Sequence, residues 1–267
     1  MCAECAAAIS VMLILTRSLV FVFHVQGAGM LQSYRKKLRA KPALQTYLYQ
    51  SSPSSSNAKV QFMAVGKAKL VVLEGIDGSG KTTQAAFLND YIVNGLGMEC
   101  LLTAEPTKSK LGLYIRGNLM DLKLNPYTMQ LLFTADRAEH VSSEIIPALN
   151  KGMWVISDRY YFSTIAYAVL TGLAEKQRDA LLAVNRTFIQ PDLTVFLDVD
   201  PRKQLLGGRG RLEVFERMDL ESKIRMREEY ARLCAITPNC ITVKVDNNKE
   251  EVRTLLRSLA SELIRKA

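Results

Sequence analysis

The sequence predicts an α/β fold, a three-layer sandwich in which a five-stranded parallel sheet lies between layers of helices. Three observations predict it. From Lys69 onward, apolar runs of strand length alternate with longer amphipathic stretches of helical period. The runs are short and rich in Val, Ile and Leu, as expected of strands covered on both faces. No internal repeat is present to indicate a solenoid or propeller. Parallel strands need right-handed crossovers, and these place ligands beyond the strand C-termini.

LVVL, Leu70 to Leu73, reads as the first strand. A glycine loop follows it, then a helix carrying Phe87, Leu88, Tyr91 and Ile92 on one face. ECLLT (Glu99 to Thr103) and MWVIS (Met153 to Ser157) read as strands two and three, and LTVFLDV (Leu193 to Val199) and ITVKV (Ile241 to Val245) as four and five. Helical patterns separate them at Thr128 to Leu149, Lys176 to Val184, Glu216 to Leu233 and Lys249 to Lys266. The folded domain is therefore expected to span 67–267.

The net charge of +9 does not belong to that domain. Nine Lys or Arg stand in the first 73 residues against a single acid, Glu4, and the remainder carries 26 basic against 25 acidic residues. A near-neutral domain of this kind argues against nucleic-acid binding. Residues 1–66 read as an N-terminal extension, mostly disordered. Ala6 to Val25 is largely apolar, but Arg17 and His24 interrupt it, so no stable membrane span is expected. SYRKKLRAK and SSPSSSNAK then pass without an acid, a composition that resembles an organelle transit peptide for a mitochondrion or plastid. Translation from Met30 or Met63, giving a cytoplasmic protein, is the alternative. Five cysteines, an odd number, favour reduced thiols over a disulfide framework. The CAEC at Cys2 and Cys5 lacks the second ligand pair that a zinc site needs.

The loop after the first strand, GIDGSGKT from Gly75 to Thr82, matches G-x-x-x-x-G-K-[ST] between a strand and a helix. Glycines let successive backbone N–H groups turn inward around phosphate oxygens, and the helix N-terminus adds its partial positive charge. Gly75, Gly78, Ser79, Gly80, Lys81, Thr82 and Thr83 thus form a candidate nucleotide-phosphate cradle. Lys81 is expected to reach the outer phosphates, and Thr82 to ligate Mg²⁺. The fold then becomes that of the P-loop NTPases. This loop serves motors, switches and kinases alike, so other residues must name the reaction.

Asp158 and Arg159 close strand three, where a carboxylate can hold hydrated Mg²⁺ and a guanidinium a second phosphate. Phe133 and Arg137, spaced i, i+4, project a ring and a forked donor from one helix face, a pairing that suits a nucleobase. Between strands four and five, LLGGRGR supplies Gly207, Gly208 and Gly210 for flexibility, and Arg209 and Arg211 join Arg202 as charge. That segment reads as an Arg-rich lid over transferring phosphates. Taken singly, these are also a salt-bridged strand end, a core-and-surface pair and an exposed basic loop. Their joint occurrence points to phosphoryl transfer.

LEGIDGSGKTTQ, EPTKSKLG, LLFTADR, DRYYFSTIAY, PDLTVFLDV and RLEVFE occur in an order similar to that of the thymidylate kinase family, with EPT and RLEVFE closest in form to its archaeal branch. The resemblance covers 69–267 and implies transfer of the γ-phosphoryl group of ATP to dTMP, with Mg²⁺, in a homodimer. It implies that Asp77 contacts the sugar 3′-hydroxyl, that Phe133 stacks on thymine and that Arg137 bonds its 4-oxo group. Arg159 would bind the acceptor phosphate and Pro106 pack near it. Thr164 would contact the base, Tyr167 would crowd the ribose 2′ position, and Glu216 would end the lid motif. Some members carry arginine directly after the loop aspartate; Gly78 stands there in this chain. The likeness then implies that Arg209 or Arg211 supplies the transition-state charge, alongside Lys81, Asp158 and Arg159. Thr107, Lys108 and Arg116 are further candidates for the acceptor phosphate. A kinase for another acceptor, or a silent nucleotide-binding protein, are the rival readings.

Overall fold

The computed structural model describes residues 68–118, 124–202, 218–245 and 249–265, together with the backbone of three strands before residue 49. The chain divides into two compact units, Met1–Gly66 and Lys67–Ala267. In the first, β1 (Ile9–Leu15) and β2 (Leu19–Val25) pair antiparallel with Ile9 opposite Val25, and β3 (Tyr47–Leu48) adds to β1. The basic and Ser-rich stretches, and Cys2 and Cys5, lie outside the described residues.

The second unit contains β4 (Leu70–Glu74), β5 (Cys100–Ala104), β6 (Trp154–Asp158), β7 (Leu193–Asp198) and β8 (Cys240–Lys244). All pair parallel, in the order β5-β6-β4-β7-β8. Buried on both faces, β4 sorts its side chains by alternation. Leu70 and Val72 enter one core with Tyr160, Phe162, Ile165 and Tyr230, whereas Val71 and Leu73 enter the other with Leu88, Ile92, Trp154 and Leu256. The chain winds to one side of β4 and then returns to the other, which makes the C-terminal ends of β4 and β6 the place where connections diverge and a crevice opens.

The helices are α1 (Lys81–Asp90), α2 (Lys110–Asn118), α3 (Pro126–His140), α4 (Ile146–Asn150), α5 (Tyr161–Leu170), α6 (Glu175–Asn185), α7 (Leu220–Ile236) and α8 (Lys249–Arg265). On α1, Leu88 and the following Ile92 are buried, while Phe87 is covered by Arg253 and Arg257 of α8, each 4.9 Å from its ring centre. Asn125 caps α3 by accepting from the Tyr127 N–H at 2.9 Å, with Pro126 at the first helical position. The helix expected from Glu216 is observed from Leu220, where Asp219 accepts from the Ser222 N–H at 2.8 Å.

Two helices escape a periodicity reading. Gly112 and Gly117 weaken the pattern of α2, while YFSTIAYAVL in α5 is buried nearly all round and shows no polar face. A further difference concerns the thiols. Cys234 at the end of α7 and Cys240 at the start of β8 form a disulfide, where the odd cysteine count favoured reduced thiols. The turn between them, with Asn239 at φ 58°, brings their Cα atoms to 5.2 Å, a proximity that no count reveals. Cys100 is free. Among the described residues no helix is long and apolar enough to cross a membrane.

Candidate active site

Glycine 75 begins the cradle because nothing else fits. Its φ is +148°, and a Cβ there would lie 2.7 Å from the Leu197 carbonyl and 2.9 Å from Ser79 Oγ. The loop wraps Lys81, whose Nζ donates to the Ile76 carbonyl at 2.8 Å and to Ser79 Oγ at 3.5 Å. Burial and the neighbouring Arg159 push the Lys81 ammonium down to about 7, against the attraction of Asp77 and Asp158. Beside it, Thr82 Oγ1 donates to Asp158 Oδ2 at 2.5 Å, while Asp158 Oδ1 is buried with no hydrogen-bond partner among the described residues. A hydroxyl oxygen next to an unsatisfied carboxylate oxygen is the donor set that a hard divalent cation accepts.

At the end of β6 the backbone turns sharply. Arg159 has φ 80°, rare for a residue with a side chain, and its N–H bonds the Leu73 carbonyl at 2.9 Å. That conformation aims the guanidinium across the mouth of β4. Its Nη2 pairs with Asp77, and its Nη1 donates to Ser163 Oγ at 3.0 Å and to the Gly75 carbonyl at 3.2 Å. Tyr167 donates to the other Asp77 oxygen at 2.8 Å. Burial alone would raise the Asp77 carboxyl, but Arg159, Lys81 and the Tyr167 hydroxyl outweigh it and hold it below the usual carboxylate range. Asp77, Arg159 and Tyr167, 90 positions apart at the extremes, thus form one cluster.

The neighbouring pocket is built around Arg137, which is 1% exposed. Its Nε and Nη2 donate to Glu105 Oε2 at 2.8 and 2.5 Å, and its Nη1 donates to Thr164 Oγ1 at 3.1 Å and Asn185 Oδ1 at 2.5 Å. The guanidinium also lies 5.0 Å from the centre of the Tyr160 ring. Glu105 turns its second oxygen to His140 Nδ1, 3.1 Å away, and His140 Nε2 meets Thr103 Oγ1 at 2.8 Å. One Nη2 hydrogen of Arg137 remains uncommitted by these bonds, so the buried cation offers a single directed donor to the cleft. Phe133 lines the same cleft one turn earlier, as does Gln130, whose buried Oε1 has no partner among the described residues.

These residues surround one cleft of about 760 Å³ that joins Gly80, Lys81 and Thr82 to Phe133, Arg137, Thr164 and Tyr167. Pro106 also lines it, after a cis Glu105–Pro106 peptide. Arg116 of α2 bonds the Pro106 carbonyl and borders the cleft, whereas the Thr107 hydroxyl is tied to Asp136 at 2.6 Å. Ser109 joins that knot, and Gly112 permits it, since a Cβ there would fall 2.1 Å from the Thr107 carbonyl oxygen. Lys108 is exposed and outside the lining. Gly78 and Thr83 line the cleft, while Ser79 is buried behind it. Gly207, Gly208, Arg209, Gly210, Arg211 and Glu216 lie outside the described residues; Arg202 is exposed at their near end. The sequence reading missed Glu105, Gln130, His140 and Asn185. Only the acid in EPT and the i, i+7 spacing of Gln130 and Arg137 hinted at two of them.

A phosphate cradle opening directly onto a second pocket of aromatic rings and directed donors defines a P-loop enzyme that brings two ligands together, the arrangement of a small-molecule kinase. A profile of the thymidylate kinase family matches residues 73–256. A probable thymidylate kinase of Pyrococcus horikoshii is 38% identical over 192 residues, covering 69% of this chain and 91% of the relative. A thymidylate kinase of Carboxydothermus hydrogenoformans is 38% identical over 172 residues, covering 62% and 84%. The crystal structure of thymidylate kinase from Ehrlichia chaffeensis superposes with a TM-score of 0.57 at 28% identity, covering 73% of this chain and 98% of that one. The chain belongs to the thymidylate kinase family.

Proposed function

We propose that the chain is a dTMP kinase in which the cleft residues divide the work between donor and acceptor. The enzyme transfers the γ-phosphoryl group of ATP to dTMP, giving dTDP and ADP on the way to dTTP. The observation that carries the reading is the continuity of the cleft: Gly78, Gly80, Lys81, Thr82 and Thr83 of the cradle and the Phe133, Arg137 and Thr164 pocket share one cavity. ATP phosphates occupy the cradle, with Lys81 leaving the Ile76 carbonyl to meet them. Thymine stacks on Phe133, its 4-oxo group takes the uncommitted Arg137 hydrogen, and the Thr164 hydroxyl meets the base edge. Asp77 accepts from the sugar 3′-hydroxyl, and Tyr167 limits space at the 2′ position.

Arg159 holds the acceptor phosphate. A dTMP phosphate oxygen forms the new bond to the γ-phosphorus as the bridging bond to ADP breaks, and the displaced pair of electrons stays on ADP. Mg²⁺ fits beside Thr82 and Asp158, whose spare oxygen would hold it partly through water, and when bound it neutralises phosphate charge. Lid arginines Arg209 and Arg211 supply charge at the transition state, and Glu216 stands at the acidic end of that sequence motif. A homodimer follows from the family likeness, and sedimentation of the full chain checks it.

The test is an ADP-release assay on the full chain with ATP and Mg²⁺, offering dTMP, dUMP, UMP, CMP, AMP and thymidine. Preference for dTMP supports base and sugar readout together. Preference for another acceptor removes the thymine assignment, and ATP binding without turnover identifies a silent homologue. Arg209→Ala and Arg211→Ala are expected to lower kcat far more than they raise the KM for dTMP; unchanged kcat in both would sink the lid assignment.

A further inference from the structure

The polar core behind Arg159 is more elaborate than a phosphate-binding arginine needs. Glu74, the last residue of β4, is fully buried directly before the cradle. Its Oε1 accepts from the N–H groups of Tyr160 and Ser163 at 2.8 and 3.3 Å, and its Oε2 from Ser163 Oγ at 2.7 Å. The carboxylate therefore supplies the N-terminal cap that α5 lacks, since the Tyr160 side chain at the cap position does not bond the first-turn N–H groups. Burial holds the Glu74 carboxyl above the usual carboxylate range, although the bonds from Ser163 and Tyr160 and the charge of Arg159 pull it down.

Tyr230, on α7, closes the circuit. Its ring is fully buried and stacked on Phe196 at 5.7 Å, and its hydroxyl lies 3.0 Å from Ser163 Oγ and 3.3 Å from Arg159 Nη1. The proton positions follow by elimination. Ser163 Oγ donates to Glu74 Oε2, so its one proton is committed there. Ser163 Oγ must then accept from Tyr230, whose own oxygen is left to accept from Arg159. Burial keeps the phenol far above its usual value, so it retains the proton that this polarity requires. The chain of donors runs Arg159, Tyr230, Ser163, Glu74, in one direction only.

The consequence falls on the other edge of Arg159. Gly75, Ser163 and Tyr230 present three acceptors to the two Nη1 hydrogens, and Asp77 takes one Nη2 hydrogen. None of these bonds engages the Nε hydrogen or the second Nη2 hydrogen, and Nε and Nη2 share one edge of the guanidinium. Two parallel N–H groups are the fork that a phosphate accepts.

We infer that Tyr230 is a positioning residue for phosphoryl transfer: its hydroxyl, polarised by Ser163 and Glu74, holds Arg159 so that its Nε and Nη2 edge faces the acceptor phosphate. The inference rests on the assignment of that phosphate to Arg159. Tyr230 touches no substrate and acts through the guanidinium alone.

Tyr230→Phe keeps the ring and its stack and removes only the hydroxyl. In the full chain, calorimetric titration is expected to show dTMP binding weakened about tenfold, the worth of one hydrogen bond to a charged group, with ATP binding changed less than twofold. The same change is made in an Arg159→Ala background. If Tyr230 acts through Arg159, the hydroxyl has no further effect there. Equal weakening in both backgrounds, or dTMP and ATP affinities falling together with the melting temperature, overturns the inference and leaves a structural tyrosine. Unchanged dTMP affinity in Tyr230→Phe overturns it also. Unchanged affinity in Arg159→Ala instead removes the underlying phosphate assignment, so the two failures are distinguishable.

Discussion

Replacing Glu105 by Gln tests the base pocket through its electrostatics. Arg137 is buried at 1% exposure, and Glu105 is its one anionic partner among its hydrogen bonds; Thr164 and Asn185 are neutral. Gln keeps the shape and one acceptor oxygen but removes the charge. Stripping one member from a buried ion pair costs about 3–5 kcal/mol, because the surviving charge stays desolvated. The retained acceptor and the Tyr160 ring place the expected loss near the lower figure, about 3 kcal/mol. In a domain of this size each kcal/mol moves the midpoint by roughly 2–4 °C, so a fall of roughly 6–12 °C is expected. Thermal unfolding followed by circular dichroism measures it, at fixed protein concentration and without nucleotide. Glu105→Gln combined with Arg137→Met removes both charges and is expected to recover much of the loss, although dTMP binding is lost with the donor. A fall below about 1 kcal/mol in Glu105→Gln, or no recovery in the pair, would refute the reasoning that this charge is held by that carboxylate.

Two further outcomes are expected. Lys81 sits at about 7 in the free protein against 10.5 when exposed, so the unfolded chain binds more protons between those pH values and this group adds stability as pH rises from about 7 to 10.5. ATP phosphates reverse the shift, so ATP binding at pH 8 is expected to take up a proton; titration heats that do not vary with buffer ionisation enthalpy would contradict this. Gln130→Leu removes a buried amide oxygen without a partner, and is expected to stabilise the ligand-free protein by about 1 kcal/mol while weakening dTMP. A melting temperature that falls, or unaltered dTMP affinity, would show that the amide does not serve the cleft.

Local chemistry made much of this protein legible. The strand, glycine loop and helix around Gly75, Lys81 and Thr82 are contiguous, so their phosphate chemistry is written in eight consecutive residues. The five strands were legible because a parallel sheet buried on both faces must be apolar throughout. Asp158 and Arg159 were legible as charges at a strand end. The sequence by itself could not show that Asp158 keeps an unsatisfied oxygen, or that Arg159 turns at positive φ to reach Asp77. Glu105, His140 and Asn185 stayed hidden because their partners stand 32, 35 and 48 positions away, and a buried polar residue carries no periodic mark. α5 stayed hidden because a helix buried all round has no polar stripe. Tertiary structure alone decided these, since hydrogen-bond partners are fixed by which strand ends and helix faces meet, whereas sequence patterns report only how each segment meets water.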